Sequence, residues 1–147
     1  MERLNDYRMV LISELCDFER AKKGKTYPAG SICVQVSATK GQTAYLDKNQ
    51  DVDSKYCVFT FKKDCCTRYI YIVFCQALPE FLHRVQTGLN IVPEVFSQFQ
   101  IPVHNSRELQ EHIVACISSI DAEIRKEEEY IESAKMCKKI HLQKMFI

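Results

Sequence analysis

The last part of the chain, residues 106–147, contains neither glycine nor proline, and this feature constrains the fold more than any other. A continuous helix over this stretch would be roughly 60 Å long at 1.5 Å per residue. Five isoleucines recur along it at intervals of four, three, four and seven residues, which is the spacing of a coiled-coil seam. They are Ile113, Ile117, Ile120, Ile124 and Ile131. The pattern predicts a long helix with one narrow apolar face.

This apolar face can pack on the chain's own sheet or against a second helix. Asn105 or Ser106 is placed to cap the helix, so its first two turns directly follow the globular part and can lie on it. Beyond about Arg125 the small globular part should no longer reach the helix. We therefore expect a partner helix for the remainder, and a second copy of the same helix satisfies this need.

The first 104 residues show the alternating apolar pattern of β-strands, interrupted by turn signals. Two strands are predicted within 31–46, followed by strands at 56–61, 68–74 and 99–103 and a short helix at 77–86. Pro102 makes the last strand an edge strand or a strand end. The predicted fold class is α+β, with a small β-sheet domain over residues 1–104 and a long C-terminal coiled-coil helix over residues 105–147.

Composition argues against several classes of protein. The formal net charge of +1 is not that of a strongly basic polymer binder. The apolar run near the start is too short for a signal peptide or a membrane helix, so a cytoplasmic protein is predicted. The sequence has no GxGxxG, P-loop or HExxH motif. We therefore expect no enzymatic activity and no cofactor.

The eight cysteines contain no CxxC pair, so the sequence predicts no metal site. Most of them lie in apolar patterns, where a reduced thiol acts as a small hydrophobe. Cys65 and Cys66 are expected to be the most exposed. The four histidines are scattered, and a structural or solvent-facing role is expected for each. They are His83, His104, His112 and His141.

Four segments resemble, in order, the specificity subunit of type I restriction-modification systems. They are GSICVQVSATKGQ, RVQTGLNIVPEVFSQFQIPV, ELQEHIVACISSIDAEI and KKIHLQKMF. The family pattern is a glycine loop, a strand ending in Ile-Pro, a helix start with Gln and Ile, and a Leu-Gln-x-Met-Phe end. The matching residues here are Gly88, Ile101, Pro102, Gln110, Ile113, Leu142, Gln143, Met145 and Phe146. Leu109 stands where the family usually has Glu, and a second proline after Pro102 is missing.

The resemblance implies a half-length form of such a subunit. Full-length specificity subunits carry two target-recognition domains and two long antiparallel helices, whereas this sequence has one of each. A homodimer through the isoleucine face would restore the pair, read double-stranded DNA and direct the methyltransferase subunit of a type I system. The alternative is a protein-interaction or regulatory module that keeps the helix but has lost sequence-specific DNA reading.

Three groups of polar residues suit contacts with DNA. Phosphate binding needs Lys, Arg and small hydroxyl donors, and base reading needs polar side chains at groove edges. The groups are Lys22, Lys23, Lys25 and Thr26; Ser37, Thr39, Lys40 and Gln42; and Arg84, Gln86, Thr87 and Asn90. The first lies in the run from Arg20 to Lys40, which has five basic residues and no acidic one. The resemblance places the third, around its glycine loop, near DNA.

Each group also has an ordinary structural explanation. The first equally suits a solvated loop. The second can simply close a hairpin, and the third can be a helix C-terminus with a charged last turn. We predict that Lys22, Lys23, Lys25, Lys40 and Arg84 contact phosphates and that Gln42, Gln86 and Asn90 read bases.

Overall fold

The computed structural model describes residues 6–37, 41–86 and 88–146. The chain forms two compact units, Met1–Glu111 and His112–Ile147. The strands are β1 Tyr7–Leu11, β2 Cys16–Arg20, β3 Thr26–Tyr27, β4 Ile32–Gln35, β5 Thr43–Tyr45, β6 Gln50–Asp51, β7 Tyr56–Phe61 and β8 Gln100–His104. The α-helices are α1 Ile12–Leu15, α2 Thr67–Val85 and α3 Arg107–Met145, and a 3₁₀ helix spans Pro93–Gln98. A sheet domain followed by a long C-terminal helix confirms the predicted α+β class.

The core of the first unit is an antiparallel sheet with strand order β2-β7-β4-β5. Its central strand β4 is buried on both faces, because Ile32 and Val34 alternate with the equally buried Cys33. Cys33 belongs to a small second core with Tyr27, Leu46 and others, in which the β3–β6 pair takes part. The two strands predicted within 31–46 and the strand at 56–61 are confirmed.

Residues 68–74, predicted as a strand, instead begin the helix α2, so that prediction was wrong. The buried residues of α2 are Tyr69, Ile70, Val73, Phe74, Leu78, Phe81 and Leu82. They recur at intervals of three and four residues, and one helical stripe therefore joins this segment to the predicted short helix at 77–86. Aromatic and β-branched residues at 69–74 favour a strand locally, but packing of the whole stripe outweighs that preference.

An aromatic cluster holds α2 and the 3₁₀ helix against the sheet. The ring of Phe59 on β7 lies 5.5 Å from Phe18, 5.1 Å from Phe74 and 5.0 Å from Phe96. Phe99 extends the cluster, with its ring 5.1 Å from that of Phe74. Such tilted and edge-to-face pairs each add to the stabilisation from burial. The cluster positions α2 on the sheet.

Among the described residues, strand β8 pairs with β1 alone, so Pro102 lies in a two-stranded ladder, as an edge strand requires. The buried Tyr69 hydroxyl accepts the backbone N–H of His104 at 3.0 Å, which anchors the end of this strand to α2. Directly afterwards, the Ser106 hydroxyl accepts the N–H of Leu109 at 3.2 Å. Ser106 is therefore the N-cap of α3, one of the two caps predicted.

The helix α3 is 39 residues long and has no buried residue. Along its predicted seam, Ile120 is 55% exposed and both Ile124 and Ile131 are 49% exposed, while Ile117 is 36% exposed. Ile113 is half-buried. An exposed apolar row of this kind is characteristic of an interaction face. Within the described part of the chain, no helix has both the length and the apolar character needed to cross a membrane.

Candidate nucleic-acid interface

Two parts of the chain that are distant in sequence meet in the first unit, namely the β4–β5 hairpin and the end of α2 with the loop after it. The β4–β5 hairpin is closed by a hydrogen bond from the Gln35 N–H to the Gln42 carbonyl at 2.8 Å. The carbonyl of Val36, the residue directly after β4, accepts the N–H of Ile91 at 2.8 Å. Gly41 lies against Leu82 in the last turn of α2. The hairpin, the end of α2 and the loop after it are therefore neighbours.

This arrangement brings together the second and third groups predicted from the sequence. We call the polar residues of the three segments the hairpin surface, namely Ser37, Gln42, Arg84, Gln86 and Asn90. Gln42, Arg84 and Asn90 are exposed, and Ser37 and Gln86 are half-buried. The predicted residues Thr39, Lys40 and Thr87 lie outside the described residues. The guanidinium and the three amides that these neighbouring segments carry are of the kinds that contact phosphates and base edges.

Arg20 belongs to this site and was not singled out from the sequence. Its guanidinium donates to the Ser37 hydroxyl at 2.7 Å and to the Ser54 carbonyl at 2.8 Å. Because Ser37 directly follows Val36, these bonds place an exposed cation beside the hairpin surface. The sequence feature that could have indicated Arg20 is its position at the start of the basic run, because an arginine at the end of a strand can reach a neighbouring hairpin.

The first predicted group forms a separate feature, the lysine turn, made of residues 22–26, which follow β2 and include the first residue of β3. The ammonium of Lys22 lies 2.7 Å from a carboxylate oxygen of Glu19, and Lys25 pairs with the other oxygen. The Thr26 hydroxyl donates to Asp51 at 2.9 Å. The sequence suggested a run free of acids, but Glu19 immediately precedes it and the fold adds Asp51. The turn is consequently less positive than its sequence indicates.

The ion pairs of the lysine turn change the pKa of the Glu19 carboxyl. Hydrogen bonds from Lys22 and Lys25 lower the pKa of Glu19 from its ordinary 4.5 to about 2. A carboxyl with a lowered pKa stabilises the fold above its ordinary pKa, and this stabilisation is lost as the pH falls from 4.5 towards 2. The groups are solvent-exposed, so we expect a contribution of about 0.2–1 kcal/mol.

The cysteines divide into buried and exposed sets. Burial raises the pKa of the Cys33 thiol to about 11 and that of Cys57 to about 12, which keeps both protonated and unreactive. Cys65 and Cys66 are only half-buried, while Cys116 and Cys137 on α3 are exposed. The expectation that Cys65 and Cys66 are the most exposed was therefore wrong. The expectation did not take into account that side chains along α3, including those of Cys116 and Cys137, are exposed to solvent.

Gly41 is required at its position by both conformation and space. Its φ of +74° is unfavourable for other residues, and a Cβ would collide with the buried Leu82 side chain. Gly24 in the lysine turn has a φ of +78° but nothing within 4 Å of such a Cβ, which makes it a matched control. We expect Gly24→Ala to lower the free energy of unfolding by about 1–2 kcal/mol. Gly41→Ala should cost about 1–3 kcal/mol more through overpacking, as chemical denaturation can measure.

One family model matches most of the chain. A sequence profile of the type I restriction modification DNA specificity domain matches residues 4–135. No curated protein sequence matches the chain. The fold is similar to the crystal structure of a type I restriction-modification system S subunit from M. genitalium, with a TM-score of 0.68 and 16% identity. That match covers 85% of this chain and 42% of the M. genitalium chain.

Two other solved structures give the same result. The HsdS subunit from Thermoanaerobacter tengcongensis has a TM-score of 0.61 and 13% identity, over 85% of this chain and 40% of that one. A structure described as the basis of complex assembly and conformational transition of the type I R-M system has a TM-score of 0.67 and 15% identity, with coverages of 85% and 40%. The chain thus spans about two fifths of the length of these relatives.

The profile and the fold together define a DNA specificity domain. The chain belongs to the type I restriction modification DNA specificity family. Specificity subunits of these systems are non-catalytic DNA-recognition proteins, so family membership agrees with the prediction that the chain is not an enzyme.

Proposed function

We propose that this chain reads double-stranded DNA through the hairpin surface and directs the methyltransferase subunit of a type I system to its target. Membership of the DNA specificity family supports the class of ligand. The observation that carries the choice of surface is the convergence of the β4–β5 hairpin, the end of α2 and the following loop. The lysine turn, which is the other predicted site, contains neither an arginine nor a side-chain amide.

The side chains of the hairpin surface can divide their contacts between the DNA backbone and the DNA bases. Arg84 is exposed near the end of α2 and can contact a phosphate or form a bidentate contact with guanine. Side-chain amides pair bidentately with adenine, and Gln42 and Asn90 are exposed enough to enter a groove. Gln86 donates to the Gly88 carbonyl at 2.8 Å, which orients its amide before any DNA arrives. Preorganisation of this kind lowers the entropic cost of binding.

The lysine turn would add affinity for the DNA backbone without adding specificity. Lys23 is exposed, whereas Lys22 and Lys25 are paired with Glu19. Replacing Glu19 by Gln removes the neutralising charge and retains an oxygen that can accept the Tyr27 hydroxyl. If the turn lies along DNA, the Glu19→Gln variant should bind random duplexes severalfold more tightly. The salt dependence should steepen by about 0.9 for each new phosphate contact.

Glu14→Gln is the matched control for this variant, because it removes the same charge from an exposed residue elsewhere. Glu14 lies on α1, which precedes β2, whereas the lysine turn follows β2. Fluorescence anisotropy with a labelled duplex at several salt concentrations measures both variants. Equal affinities and equal salt slopes for the two would exclude the lysine turn from the DNA surface. This experiment tests the lysine turn and not the hairpin surface, which needs variants of its own.

We further propose that the chain acts as a homodimer through α3, with residues 105–147 serving as a spacer between two readers. The exposed row of Ile117, Ile120, Ile124 and Ile131 supports this assembly, since a heptad seam buries its apolar residues against a second helix. A two-fold dimer would present two identical hairpin surfaces. Its target would be a palindromic site in two parts.

The alternative is a regulatory module that keeps α3 for assembly and does not read DNA. The ion pairs of Glu19 with Lys22 and Lys25 favour it, because they reduce the positive charge available for DNA. The two functions differ in a simple measurement. A DNA reader binds duplex DNA with an affinity that falls as salt rises, whereas the module binds no duplex at low salt even with its methyltransferase partner present.

A further inference from the structure

Leu89 is the most exposed large apolar residue among those that the structure describes in the first unit. It is 80% exposed, whereas Met9 on β1 is 54% exposed and Val92 is 58% exposed. Most of its side chain is open to solvent, which is unfavourable because apolar surface gains stability when it leaves water. Single exposed leucines are common on protein surfaces, so the meaning of Leu89 depends on how it is held and on its neighbours.

The loop that carries Leu89 is tied to the fold on both sides. Before Leu89, the side-chain amide of Gln86 donates to the Gly88 carbonyl at 2.8 Å. After it, the N–H of the buried Ile91 donates to the Val36 carbonyl at 2.8 Å. These bonds restrain the backbone on each side of Leu89 while its side chain stays outside the core. The loop therefore presents an apolar group at a defined place.

The residues near Leu89 indicate the kind of ligand that can cover it. Asn90 follows it directly, and Arg84 precedes it at the end of α2. The bond between Ile91 and Val36 brings the same loop to the hairpin that carries Gln42. Amides and guanidinium groups pair with the polar edges of bases. A hydrocarbon group among them suits a ligand whose polar edge also carries an apolar group.

Thymine has this combination in the major groove of DNA. It presents the O4 acceptor beside the C5 methyl group, and its partner adenine presents N7 and the N6 amino group to a side-chain amide. Leu89 can cover the methyl group while the amide of the neighbouring Asn90 pairs with an adenine. A G·C pair carries no methyl group in this groove and would leave Leu89 against polar atoms.

We propose that Leu89 contacts the methyl group of a thymine in the major groove and thereby requires an A·T pair at one position of the target. The proposal rests on DNA reading by the hairpin surface and adds an apolar residue that determines specificity. Loss of one buried methyl group corresponds to about a fourfold loss of affinity. A contact with a phosphate would not depend on this methyl group, so the effect identifies a base contact.

Replacing thymine by deoxyuridine tests this contact, because the two bases differ only by the methyl group. The unmodified protein, with its methyltransferase partner present, first selects its target from a random duplex library at low salt. Competition binding then compares that target with duplexes in which each thymine is replaced in turn. At one of these positions, the replacement should weaken binding of the unmodified protein about fourfold.

Leu89→Ala should bind the thymine target about fourfold more weakly and should bind the corresponding deoxyuridine duplex equally well. Because the Leu89 side chain is exposed, this variant should fold like the unmodified protein, which circular dichroism checks. Leu89→Met keeps an apolar side chain and should retain the preference for thymine. Met9→Ala removes an exposed apolar side chain from β1 and, as the control, should behave like the unmodified protein.

Three results would overturn the methyl contact and leave DNA reading intact. The first is an unmodified protein that distinguishes thymine from deoxyuridine at no position, and the second is a Leu89→Ala variant that retains the preference. The third is weaker binding of Leu89→Ala to both duplexes by the same factor with no effect of the methyl group, as an apolar wedge between base pairs would give. If the unmodified protein selects no sequence and binds no duplex, the proposed DNA function fails and the methyl contact fails with it.

Discussion

Changing Ile117 and Ile124 together to Asp should convert a dimer into a folded monomer. Both side chains lie on the exposed seam of α3, and pairing would bury them against the second copy. An unpaired carboxylate in such an interface costs several kcal/mol, so two per helix should abolish association at micromolar concentration. The monomer keeps the first unit intact because these residues belong to the second unit. Light scattering gives the mass, and circular dichroism gives the helix content.

The matched control adds two aspartates elsewhere on the same helix. Ser118 and Ser133 are exposed and lie on the side of α3 opposite the isoleucine row. Ser118→Asp with Ser133→Asp should therefore leave the dimer intact. A monomeric unmodified chain at micromolar concentration would refute homodimer formation. A dimer that survives the isoleucine changes would show that the interface lies elsewhere.

Substitutions on the hairpin surface should separate affinity from specificity. Arg84→Ala removes a cation. If Arg84 contacts a phosphate, the variant should bind every duplex more weakly, and its salt slope should be smaller by about 0.9. Gln42→Ala or Asn90→Ala removes the amide of an exposed residue. Loss of a base-reading amide should relax the preference at one base pair by about 1–3 kcal/mol and leave binding to unrelated sequences unchanged.

Controls for these variants come from exposed residues of other elements. Gln98 ends the 3₁₀ helix and Arg8 lies on β1, and both side chains are exposed. Gln98→Ala and Arg8→Ala should bind DNA like the unmodified chain. Competition binding against duplexes that differ at single positions measures each preference. If the Arg84 and Gln42 changes have no more effect than their controls, another surface reads DNA.

The long helix was predictable because its signal is local and repeated. Unbroken helix-forming sequence and the isoleucine spacing from Ile113 onward determine both its extent and its apolar face. The start of α2 was not predictable in this way, because residues 69–74 satisfy the composition of a strand as well as the spacing of a helix. Only the continuation of the stripe to Leu82, which packs under the hairpin, separates the two.

Most members of the candidate site were predictable from the sequence, but Arg20 and the grouping of the segments were not. Gln42, Arg84 and Asn90 were recognisable as polar residues at turns, but their proximity depends on the bond between Ile91 and Val36. The pairing of Glu19 with Lys25 likewise depends on how the turn folds, since the two are not helix neighbours. Interactions between distant segments arise from tertiary packing, which a local pattern does not encode.

Selection from a random duplex library tests the central proposal most directly. The unmodified protein, with its methyltransferase partner present, is allowed to bind the library at low salt, and the bound sequences are determined. A DNA reader that acts as a two-fold dimer should enrich two identical short half-sites in inverted orientation at a fixed spacing. Enrichment of no sequence, together with no salt-dependent binding of any duplex, would contradict DNA reading by this chain.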